Sequence, residues 1–111
     1  MPLPPNRKFP KPVKLSYMTI TFDDLPKPQA DQSAIGIWSS SRQLILVDED
    51  LEGSARVNTV LHELLHACWS VGEINEVSSN EEHIVSVMAN QITELIDRNP
   101  NLMEWVRSNL E

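Results

Sequence analysis

The chain is poor in cysteine, with Cys68 alone among 111 residues. No internal disulfide can form, and a lone thiol suits a reducing compartment. No stretch approaches the roughly 20 consecutive apolar residues that cross a bilayer, so a membrane-spanning segment is not expected. Basic charge is also short, with 9 Lys and Arg against 16 Asp and Glu and a net charge of −7. That balance argues against a sequence-independent grip on nucleic acid, which depends on neutralising phosphates. No serine or cysteine stands in a recognisable nucleophile motif, and no internal repeat is present. The first residues, Met1 to Lys8, have no apolar run behind their basic positions and do not read as a secretory signal. A cytoplasmic protein is the expectation.

What remains is enough for one domain. A length of 111 residues with 41% hydrophobic side chains can bury a core but cannot supply a separate substrate domain, so any site lies on a single unit. Residues 1–13 carry Pro2, Pro4, Pro5, Pro10 and Pro12 together with Arg7, Lys8 and Lys11. They read as a basic, solvated arm ahead of a domain at 14–111. Lys14 to Phe22 alternates apolar and polar residues and predicts a strand, and Ile35–Trp38 with Gln43–Val47 predicts a hairpin. Ser54 is a candidate cap for a helix through about Ser70, on which Val57, Leu61, Leu64, Leu65 and Cys68 form the expected core stripe. Ser79-Asn80-Glu81-Glu82 reads as a capping box opening a second helix to about Arg98. Ser78 with Glu81 is a competing register. Pro100 suits the first turn of a third helix, to about Leu110. The class predicted is α+β: a small antiparallel sheet of about three strands packed with two long helices and one short one.

The chemistry is concentrated in His62-Glu63-Leu64-Leu65-His66. Positions four apart lie nearly above one another on a helix, so both imidazoles reach one point, and two neutral imidazoles suit zinc. Glu63 is turned about 100° from His62, out of ligand position but within reach of a metal-held water. This is the physical content of the H-E-x-x-H pattern. A third ligand is needed, and Glu73, Glu76, Glu81, Glu82 and His83 are the nearby candidates. On the second helix, Ile84, Val85, Met88, Ala89, Ile92, Leu95 and Ile96 mark the expected apolar stripe. Glu81 projects onto its middle, Glu82 onto its margin and His83 away from it. A carboxylate aimed inward is costly unless it is paired or metal-bound, which favours Glu81. The connector Val71 to Ser78 is long enough for the second helix to fold back near His66.

At these residues the chain resembles the gluzincin metallopeptidases, in which an HExxH helix is followed by a helix supplying a glutamate ligand. Thr59 to His66 followed by Glu81-Glu82-His83-Ile84-Val85 looks like the small ImmA/IrrE-type and phage-encoded peptidases, over about residues 35 to 98. The resemblance implies a zincin-like fold, one Zn2+ per chain held by His62, His66 and Glu81, and a protein or peptide substrate. It implies peptide-bond hydrolysis with Glu63 as general base on a zinc-held water and no covalent intermediate.

Two other readings fit the same residues. A structural zinc domain has no use for a carboxylate beside the metal, so Glu63 speaks against it. A non-catalytic, zinc-stabilised binding or regulatory module is favoured by the small size, which leaves little surface for a substrate cleft. Tyr17 and His83 are the candidates for a donor to the developing oxyanion. Trp69, nearly one turn past His66, either walls the site or packs, packing being the plainer role. Cys68 reads as core.

Overall fold

A computed structural model describes residues 8–26, 35–72 and 81–110, the side chain of Glu81 excepted. Four strands, β1 (Val13–Leu15), β2 (Met18–Leu25), β3 (Gly36–Ser39) and β4 (Leu44–Asp48), are followed by helices α1 (Gly53–Val71), α2 (Glu81–Arg98) and α3 (Pro100–Asn109). The α+β class and the three helices agree with the sequence pattern. The sheet has one strand more than expected and is mixed, in the order β1-β2-β4-β3. β1–β2 and β3–β4 are antiparallel, whereas β2 and β4 run parallel, with Thr21 opposite Leu44 and Leu25 opposite Asp48.

The extra strand comes from dividing the segment read as one. Ser16, at φ 58°, turns the chain so that Val13 and Leu15 lie on the same buried face as Met18 and Ile20. The apolar spacing changes from two to three across this turn. Ser16 is a weaker turn signal than Gly, Pro, Asn or Asp, and Tyr17 is none, so the punctuation of the sequence there is faint.

One face of the sheet carries the core. Ile20, Ile45 and Val47 meet Val57, Val60, Leu64, Ala67 and Cys68 of α1, with Leu95, Leu102, Trp105 and Val106 completing the cluster. Each buried valine, leucine or isoleucine among them contributes about 2 kcal/mol relative to exposure. The core stripe of α1 is thus centred on Val60 and Leu64, while Leu61 and Leu65 of the expected stripe are exposed. α1 opens at Gly53, whose φ of 60° few side-chain-bearing residues adopt. Glu52 occupies the cap position without a capping bond. Ser54 therefore lies within the first turn instead of capping it.

Residues 8–12 are not a free arm. The Trp105 indole donates to the Lys8 carbonyl, Pro10 is buried, and Phe9 stacks on Phe22 at 6.0 Å between centroids. Phe9 also lies 4.3 Å from the guanidinium carbon of Arg56. Arg56 is wholly buried and its Nη2 donates to Asp24 Oδ1 at 2.8 Å. A buried guanidinium with a carboxylate and a ring face is how the interior tolerates the charge. The described basic residues of the arm, Lys8 and Lys11, are exposed. Residues 1–7, the break after Pro26, the connector with Glu73 and Glu76, and Ser78, Ser79 and Asn80 of the two capping registers fall outside the described residues.

α2 is fastened to β1 at its C-terminal end. Asn99 Oδ1 accepts from the Lys14 amide at 2.7 Å, and its Nδ2 donates to the carbonyls of Lys14 and Leu95. The Asn99 amide thereby does for an edge strand what a neighbouring strand would. Glu94 accepts from the Ser16 amide and pairs with Arg98, which in turn donates to the Ser16 carbonyl. Only Leu95 of the expected α2 stripe is buried, with Ile84 and Met88 half-buried; Val85, Ala89, Ile92 and Ile96 face outward. The apolar arc is wider than the surface against which α2 rests.

The Ser16 amide holds the Glu94 carboxyl below the usual carboxylate range; burial opposes it, and the hydrogen bond and charge of Arg98 each add a smaller lowering. A depressed folded-state pKa stabilises the fold above the ordinary value of about 4.3, and the contribution disappears as pH falls through the folded value. Glu94→Gln should therefore lower stability at neutral pH and flatten the loss of stability below about pH 4.3. Urea unfolding of both proteins across that range measures it, and identical acid limbs would refute the assignment.

Candidate metal centre on the first helix

The periodicity of α1 that buries Val60 and Leu64 turns His62 and His66 outward, and both are exposed. Their ring centroids are 4.9 Å apart with an interplanar angle of 72°. Glu63 lies between the two regimes. It is only 7% exposed, and its Oε2 is 3.9 Å from His62 Nε2. The donor atoms of His62, Glu63 and His66 all lie within 4.8 Å of one another.

Two nitrogens bound tetrahedrally at about 2.05 Å stand about 3.3 Å apart. Small rotations of two exposed, edge-to-face rings span the difference. The donor set, two imidazoles with a carboxylate beside them, thus fits a zinc ion, with His62 and His66 as its holders and Glu63 adjacent. Glu81 is the first residue of α2, two turns ahead of Met88, and its side chain is outside the described residues. Glu82 and His83 are exposed.

Buried carboxylates are normally hydrogen-bonded or paired. Among the described residues none donates a hydrogen bond to Glu63. What encloses it is β3. A Cβ added to Gly36 would stand 2.7 Å from Thr59 Cγ2 and 3.1 Å from Glu63 Oε2, so the bare backbone of Gly36 seats directly on these two side chains. Farther along the same strand, the Trp38 indole donates to Ser70 Oγ at 3.4 Å, and that hydroxyl donates to the His66 carbonyl. The strand is therefore braced along the length of the motif.

Hollows open on both sides of His62. One, of about 460 Å3, is lined by His62, Leu65, His66, Trp69 and Met88. The other, of about 310 Å3, is lined by Ile35, Gly36, Asn58, Thr59, His62 and Glu63. Trp69 thus walls the first hollow in addition to its partial burial. Tyr17 is 84% exposed in the turn beside Glu94 and Arg98, and lines neither hollow. His83 lines neither one. Cys68 is buried in the core; burial, aided by the charge of Glu94, pushes its thiol up to about 11, which removes it as a nucleophile.

Gly36, Leu65 and Met88 were not singled out as site residues by pattern. For Gly36 a signal exists, since an isolated glycine in a strand marks close approach of another group. For Met88 no signal distinguishes a wall of the cleft from ordinary core. Comparison with protein-family models, with curated proteins and with solved structures found no match.

Protein purified without added metal and then dialysed against zinc should carry one zinc per chain by elemental mass spectrometry. His62→Ala or His66→Ala should abolish it. Stoichiometric zinc in both variants would show that these imidazoles do not form the centre.

Proposed function

We propose that the chain is a zinc-dependent peptidase in which His62, His66 and Glu81 hold the ion and Glu63 is the general base. One observation carries this reading. A carboxylate without a described hydrogen-bond donor is kept enclosed by a neighbouring strand, beside two imidazoles left open to solvent. A structural zinc site gains nothing from such a carboxylate, and closed structural sites do not leave their ligands so accessible. Zinc bound there would supply a Lewis acid for the substrate carbonyl and acidify a water to near neutrality.

The remaining work falls to the chain itself. Glu63 takes the proton of the attacking water and returns it to the departing amine, which needs a carboxylate within hydrogen-bond reach and little competition from solvent. Its enclosure by Gly36 and Thr59 meets the second condition. β3 is the edge of the described sheet, and an extended peptide added to that edge runs past Gly36 and Glu63 with its main chain paired. The hollow between α1 and α2, walled by Leu65, Trp69 and Met88, accepts an apolar side chain next to the scissile bond. The substrate class is thus an extended peptide or protein segment with a large apolar residue at the cut.

Glu63→Gln should lower kcat/KM by about a thousandfold, within the range general acid–base catalysis supplies, while zinc content stays at one per chain. A fluorogenic peptide library should show leucine or phenylalanine beside the cut preferred over glycine by at least about tenfold. Failure of the zinc-loaded protein to cleave any member of the library, or full activity in Glu63→Gln, would overturn the peptidase reading.

A further inference from the structure

We infer that Gly36 is a positioning residue, whose missing side chain lets β3 press on the Glu63 carboxylate and hold it toward His62. The inference rests on the reading of Glu63 as base, and it concerns how that base is kept in place.

Glycine is a poor choice for this position on local grounds. Gly36 is a strand residue paired opposite Val47, and its backbone is not in the left-handed region, which among the glycines only Gly53 adopts. Any β-branched residue would suit the strand better. The conformational entropy lost by ordering a glycine is therefore not required by the backbone at this point. What requires it is space: the built Cβ meets Thr59 Cγ2 at 2.7 Å, Glu63 Oε2 at 3.1 Å and Glu63 Cγ at 3.2 Å.

Thr59 sets one side of this contact. Its Oγ1 donates to the Ala55 carbonyl at 3.0 Å, which selects one rotamer and turns Cγ2 toward Gly36. Thr59 and Glu63 are one turn apart on the same face of α1, so Thr59 blocks one direction of escape and the strand blocks another. With His62 Nε2 at 3.9 Å, the carboxylate is bounded by Thr59, the Gly36 backbone and His62.

An added methyl at position 36 meets side chains, not backbone, so the fold can absorb it by moving them. The 2.7 Å contact with Thr59, which is tied to Ala55, is relieved by a slight shift of the strand or of Thr59, whereas the contacts at 3.1 and 3.2 Å are relieved by moving Glu63. Gly36→Ala should therefore retain one zinc per chain and lower kcat at least tenfold, with KM changed less than threefold. Combined with Glu63→Gln, it should lower kcat no further. In metal-free protein, the nuclear Overhauser contact between the Gly36 α-protons and the Glu63 γ-protons should be strong. In Gly36→Ala the corresponding contact, from the single α-proton left at that position, should be weakened.

Thr59→Ser keeps the hydroxyl and removes the methyl, and separates displacement of Glu63 from displacement of the strand. The double variant Gly36→Ala/Thr59→Ser should stay as impaired as Gly36→Ala, since the contacts with Glu63 remain. Return of the double variant to the kcat of Thr59→Ser would overturn the inference, as would a Gly36→Ala protein with unchanged kcat and an unmoved Glu63. If Gly36→Ala alone fails to fold, the double variant carries the same comparison. An inactive wild type would refute the peptidase reading itself, whereas an active wild type with an indifferent position 36 would refute only the positioning role.

Discussion

The contact between α1 and the β3–β4 hairpin is the constraint on which the rest of the structure depends. Burying Val57, Val60, Leu64 and Ala67 against Ile45 and Val47 fixes the rotation of α1, and a helix has only one rotation to give. Once it is set, His62 and His66 must face solvent, and Glu63, about 100° away on the wheel, must graze the strand. A helix turned by one position would bury a histidine or release the carboxylate. Hydrophobic burial thus decides the solvent exposure of each member of a polar triad that contributes little to the core.

A second set of interactions keeps this layer in register. Arg56, the one wholly buried charge of α1, reaches Asp24 on β2 and the ring of Phe9, so the helix start is pinned to the sheet. At the other end, Trp38 and Ser70 tie β3 to the last turns of α1. α2 is held from its far end, through Asn99 and Glu94 to the β1–β2 turn. Its N-terminal half packs Met88 against the core and brings it opposite Leu65 and Trp69. The exposed Val85, Ala89, Ile92 and Ile96 lie along the whole of α2.

The sequence alone determined what depends on neighbours within one element. His62, Glu63 and His66 lie inside a single turn and a bit of helix, so the convergence of the imidazoles follows from 3.6 residues per turn and needs no partner. The α+β class, the β3–β4 hairpin and the three helices are likewise local consequences of apolar period. The β1–β2 turn escaped because a lone Ser16 followed by Tyr17 signals a turn only weakly, with no Gly, Pro, Asn or Asp beside it. The cap of α1 was misplaced because Gly53, not a side-chain oxygen, reverses the chain there.

Only the tertiary structure decided which parts of each apolar stripe are covered, and that β4 lies between β2 and β3. Alternation along a strand says that it has a buried face and nothing about its neighbour, so the parallel pairing was not legible. The same limit applies to the site. Nothing within the motif states that residue 36, far away along the chain, will stand against Glu63, because that contact is set by how a strand and a helix slide past each other when both bury their apolar faces. The identities of the two imidazoles and the carboxylate are written in one short segment. The enclosure that makes the carboxylate unusual arises only when the chain has packed.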